Sequence, residues 1–310
     1  KYLDRYLHEP NQLFKNMSSI KEELAILEQE KPDLVISRMD SYVYSPVTLT
    51  RKTNIPFIIE VDSPSSYEKL VFQDYYRSTR KLLYWLEQKV LESSKAAFAQ
   101  TNQVKNYYME IGLPEDLFTV IPNGVDAERF HPDVDSTEVK DKFDLDGSLV
   151  IGFVGSFIYW HGVENLTTIM DNCVKNHSNV KFLMVGDGGP MKPYLEKYIK
   201  ENKLSDKVIL AGLVSHDEIP KYINAMDIVL APYPKLDFFY YSPVKVFEYM
   251  ACGKALITTD IGQISEIIQN GETGVLTTPN DINDVIENIN HLIRDDKLRR
   301  KIGNKARMEI

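Results

Sequence analysis

Lys245 and Glu248 stand three residues apart in the stretch Tyr240–Cys252, and their types suit a phosphorylated ligand. The stretch predicts a helix. Ser242 is a good N-cap, and Pro243 suits the first helical position, where its missing N–H costs nothing. Val244, Phe247, Met250 and Ala251 then recur at helical spacing, and Gly253 ends the run. A lysine in the first turn meets the positive end of the helix dipole, a poor place for a cation unless an anion sits at the helix mouth. A carboxylate one turn on suits the two hydroxyls of a ribose. The alternative is an i,i+3 surface ion pair.

Other candidates sit where apolar runs end. Gly155 follows Leu149–Val154 and opens the loop Ser156–Gly162, where a glycine lets backbone approach a phosphate. His161 in that loop could donate to a diphosphate or be structural, and Trp160 is expected to pack. Gly186-Asp187-Gly188-Gly189-Pro190 is a second strand-to-helix turn. It does not match Gly-x-Gly-x-x-Gly, so no NAD site is expected. Earlier in the chain, Arg38, Asp40, Glu60 and Asp62 close two apolar runs, and the carboxyl ends of parallel strands are where ligands bind. The alternative for Glu60 and Asp62 is capping of the next helix. The sequence contains no clustered His/Cys metal spacing, no Gly-x-x-x-x-Gly-Lys loop and no Gly-x-Ser-x-Gly elbow.

The elements that must hold these residues alternate between strand and helix. In the first part the expected helices are Asn11–Glu30, about Val43–Lys52, Tyr67–Ser93 and Asn102–Ile111. Leu13, Phe14, Met17, Ile20, Leu24 and Leu27 form the apolar stripe of the first, and Leu70, Val71, Leu82, Leu83, Leu86 and Val90 that of the third. The expected strands are Asp33–Ser37, read as buried, Ile55–Val61, Ala96–Ala99 and Phe118–Ile121. Residues 127–147, polar and rich in acids, read as a linker between a domain over 1–126 and a second over 148–310. The second series has strands at Leu149–Val154, Val180–Val185, Val208–Ala211, Ile228–Ala231, Ala255–Thr259 and near Gly274–Leu276, with helices between and after them. Such alternation predicts an α/β fold with parallel sheets, here two Rossmann-like halves.

Composition narrows the class. The 310 residues suffice for two domains, and 43% hydrophobic with 26% charged content fits a globular protein. A net charge of −9 argues against a general nucleic-acid binder. Cys173 and Cys252 lie in apolar helical contexts and read as small buried hydrophobes, in keeping with a reducing cytoplasm. No apolar run approaches the ~18 residues that span a bilayer, and no signal peptide is visible. The sequence begins at Lys1.

Taken together, several segments resemble the family 4 retaining glycosyltransferases. They are Val120–Asp126, Gly152–Ser156, Trp160-His161-Gly162, Val185–Gly188 and Ser242–Ala251, in order and at fitting spacing from about Pro32 onward. The resemblance implies the GT-B fold, two Rossmann-like domains facing a cleft, with an incomplete first domain because its opening strands and glycine-rich loop are not in this sequence. The chain also stops before the last helix usual in the family, so truncation at both ends is expected.

The resemblance also implies site roles. Glu248 matches the glutamate that binds the donor ribose, and the helix start at Ser242, Pro243, Val244 and Lys245 matches the diphosphate-facing turn. Gly155, Ser156, His161 and Gly188 fall on the phosphate side of the donor site, and Leu213-Val214 on the loop against the base. The implied catalytic residues are Asp62, Lys245 and Glu248, with Arg38, Asp40, Glu60 and Asp62 on the acceptor side. There are departures. The family's Glu-x7-Glu motif has Tyr240 at its first position here, the arginine and lysine of the phosphate loop correspond to Ser156 and His161, and the first-domain histidine corresponds to Asp62. The implied reaction transfers a sugar from a UDP- or GDP-sugar to a saccharide or lipid-linked acceptor, in surface polysaccharide or glycan synthesis. No metal and no cofactor is expected, since the nucleotide sugar is a substrate. The expected location is the cytoplasm, including peripheral contact with the inner face of a membrane. A nucleotide-sugar epimerase on the same fold and a non-catalytic nucleotide-sugar-binding protein remain as alternatives.

Overall fold

A computed structural model describes residues 2–72 and 80–310, except for the side chains of 2–10, 12, 13 and 72. The chain divides into two units. One comprises the chain up to Pro122 together with Tyr240–Ser242, and the other comprises Asn123–Phe239 and Pro243–Ile310. Residues 127–147, read above as a linker, lie within the second unit, where Phe130, Val139 and Leu145 are buried.

The first unit is a four-stranded parallel sheet of β1 (Val35–Arg38), β2 (Phe57–Val61), β3 (Ala97–Ala99) and β4 (Phe118–Val120), in chain order. Around it run α1 (Tyr2–Glu30), α2 (Ser45–Thr53), α3 (Ser65–Phe72), α4 (Arg80–Ser93) and α5 (Asn102–Glu110). Phe57, Ile59 and Val61 point into the core from β2 while Glu60 points out, the alternation that a pleated strand imposes. β1 is an edge strand and not the buried one expected: it has a single neighbour, and Ile36 is 68% exposed. α1 starts earlier than its stripe suggested. It packs on α2, which covers Ile20, Leu24 and Leu27 in part but leaves Phe14 and Met17 exposed. A 29-residue helix is about 44 Å long and cannot be covered by a nine-residue neighbour of about 14 Å. The side chain of Leu13 lies outside the description. The single helix expected over Tyr67–Ser93 crosses residues 73–79, outside the described residues. Leu83, Leu86, Val90 and Leu91 are its buried face on α4, whereas Val71 and Leu82 are exposed.

The second unit holds six parallel strands: β5 (Leu149–Val154), β6 (Val180–Val185), β7 (Val208–Gly212), β8 (Ile228–Ala231), β9 (Ala255–Thr259) and β10 (Val275–Thr277). Their order is β10-β9-β8-β5-β6-β7. Chain direction across the sheet reverses between β5 and β8, which makes the carboxyl end of β5 a topological switch point, the usual ligand site of such sheets. β5 is buried along its whole length, as its unbroken apolar run requires in the middle of a covered sheet. The helices are α6 (Thr137–Lys142), α7 (Val163–Asn176), α8 (Lys192–Glu201), α9 (Ile219–Asn224), α10 (Val244–Ala251), α11 (Ile264–Ile267), α12 (Ile282–Arg294) and α13 (Asp296–Met308). α10 begins one residue later than expected. Pro243 and not Ser242 occupies its N-cap, in extended conformation and without a side-chain cap. Cys173 and Cys252 are both buried, and burial pushes each thiol up to about 12. Among the described residues no helix is long and apolar enough to cross a membrane.

Candidate functional site

A cavity of about 280 Å³ opens at the carboxyl ends of β5 and β6. Gly155, Ser156, Asp187, Leu213, Val214, His216 and Glu248 are among the residues that line it. The turns after β5 and β6 pass so close that a side chain on Gly186 would meet the carbonyl oxygen of Gly155 at 2.2 Å. Gly155 itself has φ +143°, a conformation that side chains rarely adopt. Leu213 is 82% exposed on the cavity rim, a flat apolar surface of the kind a nucleobase covers. Of the sequence candidates, Gly155, Ser156, Leu213, Val214 and Glu248 lie on this one wall, whereas His161, Gly188 and Lys245 are not among the lining residues.

Lys245 lies behind Gly155. A Cβ at position 155 would stand 2.7 Å from Lys245 Nζ, so the glycine is what leaves the amine room beside the cavity wall. Lys245 is buried, and Nζ has no hydrogen-bond partner among the described residues. It lies over the Phe153 ring at 4.3 Å and near the Tyr233 ring at 5.8 Å, contacts that partly compensate a buried cation. Burial pulls its pKa down to about 7, against an upward pull from the Glu248 carboxylate. This is not the surface ion pair considered as the alternative, and a buried amine without a partner is poised for an anionic ligand.

His161 takes a different part from the one expected. Its Nδ1–H donates to the Ser156 carbonyl at 2.8 Å, and its ring packs edge-on to Phe153 and Tyr233. Burial, with the Lys245 charge beside it, lowers its pKa to about 4. A neutral imidazole that spends its one N–H on the backbone has none to give a diphosphate. His161 braces the loop after Gly155. Gly188 likewise holds that loop, its carbonyl accepting from the Phe157 N–H at 3.2 Å.

α10 carries Glu248 into the cavity wall one turn beyond Lys245. Tyr249 anchors the helix: its hydroxyl accepts from the Val154 N–H at 2.7 Å, tying α10 to the end of β5. The Glu248 side chain is 7% exposed, and its Oε1 accepts from Nε2–H of His216 at 2.7 Å. The sequence reading missed His216. A count of titratable residues just beyond each predicted strand would have flagged it, four residues past Gly212.

In the first unit the acceptor-side candidates meet at the strand ends. Arg38 and Glu60 pair in register on β1 and β2, and Arg38 forms an ion pair with Asp62. Gln100 Nε2, beyond β3, donates to Asp62 Oδ1 at 2.6 Å. Asp62 is thus held by two side chains and does not cap α3. The start of α3 is instead served by Glu87 of α4, which accepts from the backbone N–H and hydroxyl of Ser66 and from the Tyr108 hydroxyl at 2.5 Å. Asp40 accepts from the Ser41 N–H at 2.6 Å and stays exposed, as does Glu60. Tyr240 does not line the cavity. It is 1% exposed in the first unit, donates to Glu68 Oε1 at 3.1 Å, and its carbonyl accepts from the Thr101 hydroxyl at 3.1 Å. Ser242 belongs to the same short segment. Pro243 and Val244 form the start of α10 outside the cavity lining, with Val244 exposed.

Two parallel-sheet units with polar groups gathered at their strand ends define a GT-B glycosyltransferase fold. Solved structures share it: Anabaena HepE in complex with UDP-glucose superposes with TM-score 0.75 at 19% identity, covering 93% of this chain and 76% of that one. Sucrose-phosphate synthase from Thermosynechococcus elongatus gives TM-score 0.77 at 19% identity, covering 96% and 73%. The chain belongs to the glycosyl transferases group 1 family, whose profile matches residues 135–309, and the Glycosyltransferase Family 4 profile matches residues 5–129. Among curated relatives, it is 22% identical to alpha-D-kanosaminyltransferase of Streptomyces kanamyceticus over 85% of this chain and 68% of that protein. It is 26% identical to N-acetyl-alpha-D-glucosaminyl L-malate synthase of Bacillus anthracis over 71% and 56%. For UDP-Gal:alpha-D-GlcNAc-diphosphoundecaprenol alpha-1,3-galactosyltransferase of Escherichia coli the values are 25%, 96% and 76%. The chain thus spans between about half and three-quarters of these relatives' lengths.

Proposed function

We propose that this chain transfers a sugar, with retention at the anomeric carbon, from a UDP- or GDP-sugar to a saccharide or lipid-linked acceptor in glycan synthesis. The observation that carries the reading is the buried amine of Lys245, without a hydrogen-bond partner among the described residues and directly behind the cavity-lining Gly155, with Glu248 one turn away on the cavity wall. Lys245 meets the diphosphate, Glu248 the ribose hydroxyls, and Leu213 with Val214 the base. UDP is the donor nucleotide best supported: HepE was solved with UDP-glucose, and the E. coli relative is named for UDP-Gal. That relative's diphosphoundecaprenol acceptor supports a lipid-linked acceptor and work at the inner face of a membrane. Family membership favours transfer over the epimerase and binding-only alternatives.

In the reaction the acceptor hydroxyl attacks the anomeric carbon on the face from which the diphosphate departs. The carbon–oxygen bond to the diphosphate breaks, and the acceptor proton passes to the leaving phosphate oxygen. Charge growing on that oxygen is offset by Lys245 and by the start of α10, fixed positive groups in a site of low dielectric. These groups stand in for a divalent cation, so initial rates of sugar transfer are expected to survive chelation by EDTA unchanged.

Calorimetric titration of UDP and GDP tests the donor site. Glu248→Ala is expected to weaken binding about ten- to a hundredfold, the scale of hydrogen bonds to a charged group. Undiminished affinity for both nucleotides in this variant removes the ribose role.

A further inference from the structure

Lys245 and Glu248 are three residues apart on α10, a spacing at which opposite charges ordinarily pair. They do not. Nζ is without a hydrogen-bond partner, and the carboxylate instead takes the N–H of His216 at 2.7 Å. His216 comes from the loop after β7, 32 residues before Glu248, and its side chain is 61% exposed on the cavity wall. Its ring leans on that of Phe130, with centroids 5.3 Å apart. Phe130 is 1% exposed, and its carbonyl accepts from Arg307 Nη1 at 3.1 Å. Arg307 of α13 also holds the carbonyls of Ala127 and of Ala251, the last residue of α10. The imidazole is therefore backed by a wall tied to the helix that carries Glu248.

We propose that His216 is a positioning residue that holds Glu248 away from Lys245, keeping the amine open for a diphosphate and turning Oε2 of the carboxylate to a ribose. This rests on the reading that the cavity takes a nucleoside diphosphate. Without His216 the buried carboxylate is left facing the charge of Lys245, and pairing with it spends both groups at once. Among the described residues, the charged and titratable groups against Nζ are Glu248 on α10, His161 after β5 and Tyr233 after β8. Of these, Glu248 is the carboxylate.

Two measurements on the whole chain test the proposal. The first needs no ligand: the titration midpoint of Lys245 followed by NMR with isotopically labelled lysine. In His216→Ala it is expected to rise, because Glu248 closes on the amine. In His216→Gln, whose amide can still donate to Glu248, it is expected to stay with the parent protein. An unchanged midpoint in His216→Ala overturns the proposal. The second is a calorimetric double-mutant cycle with UDP. His216→Ala is expected to weaken binding by about tenfold, yet His216→Ala with Glu248→Ala is expected to bind no worse than Glu248→Ala alone. Losses that simply add overturn the positioning role. Absence of nucleotide binding by the parent protein defeats the reading of the cavity instead, while the lysine titration still judges His216.

Discussion

If the cavity takes a nucleotide sugar as proposed, Lys245 makes that binding sensitive to pH. The amine has an ordinary pKa of 10.5 when unfolded and about 7 when buried here. Between those values the unfolded chain binds more protons than the folded one. The cost of burying the lysine is therefore full below pH 7 and fades as pH rises toward 10.5. A bound diphosphate favours the charged amine and raises its pKa, so binding takes up a proton above neutrality. Affinity for a UDP-sugar, whose phosphates stay ionised throughout, is expected to be flat below about pH 7 and to fall above it by at most about tenfold per pH unit. His161, with a pKa of about 4, does not titrate in that range. Binding isotherms from pH 6 to pH 9, together with their dependence on buffer ionisation enthalpy, check this. Lys245→Met is expected to bind weakly at every pH and to lose the slope. A slope that survives in Lys245→Met assigns it to another group.

The start of α3 depends on a side chain from another helix. Its first turn is served by Glu87 from α4, which is 5% exposed and accepts from Ser66 and Tyr108. Burial raises the Glu87 pKa above its ordinary value of 4.5, against the pull of those hydrogen bonds. For an acid so raised, the folded state binds more protons than the unfolded one as pH climbs above 4.5. Its favourable contribution is thus complete below that pH and is lost as pH rises through the folded value. Glu87→Gln, which keeps the acceptor oxygen without a charge, is expected to be neutral or stabilising at neutral pH. Glu87→Leu leaves the Ser66 and Tyr108 donors buried without an acceptor and is expected to cost about 1–3 kcal/mol. Urea unfolding of the two variants at neutral pH measures the difference, and equal stabilities would deny Glu87 its part in holding α3.

At the scale of the whole molecule, ligand binding and folding are linked. A nucleotide sugar that binds only the folded state at a hundredfold excess over its Kd adds about 2.7 kcal/mol to the stability of the unit that holds it. A thermal-shift panel of nucleotide sugars is expected to raise the melting temperature for UDP-sugars above all others, and to shift Glu248→Ala distinctly less at the same concentrations. Protection against hydrogen exchange is expected to increase at α10 and at the turns after β5 and β6. A panel in which no nucleotide sugar shifts the transition argues against a donor site at this cavity.

Much of this protein was legible in residue order alone. Short, largely apolar runs gave β5, β6, β8 and β9 to the residue, with Lys181 in β6 and Thr258 and Thr259 in β9 as their polar members, because a strand covered on both faces has little polar side to blur its ends. Alternation of strand and helix gave parallel sheets, Gly155 came from its place at a strand end and Glu248 from its place one turn into a helix, while Leu213 and Val214 came from the family resemblance. Edge and surface elements were harder to read. β1 has the composition of a buried strand, and only its position at the sheet margin exposes Ile36. The residues that decide the chemistry of Lys245 were out of reach, because burial, the Phe153 ring and the His216–Glu248 bond join positions far apart in the chain. The same is true of Tyr240, one residue past Phe239 in sequence but grouped with the first unit, where Glu68 takes its hydroxyl. Local pattern determined which elements form and where their ends fall, since hydrogen-bond geometry and side-chain period act over a few residues. Which groups are charged, which are paired and which are left waiting for a ligand was decided by tertiary structure, since desolvation and pairing depend on what else is near in space.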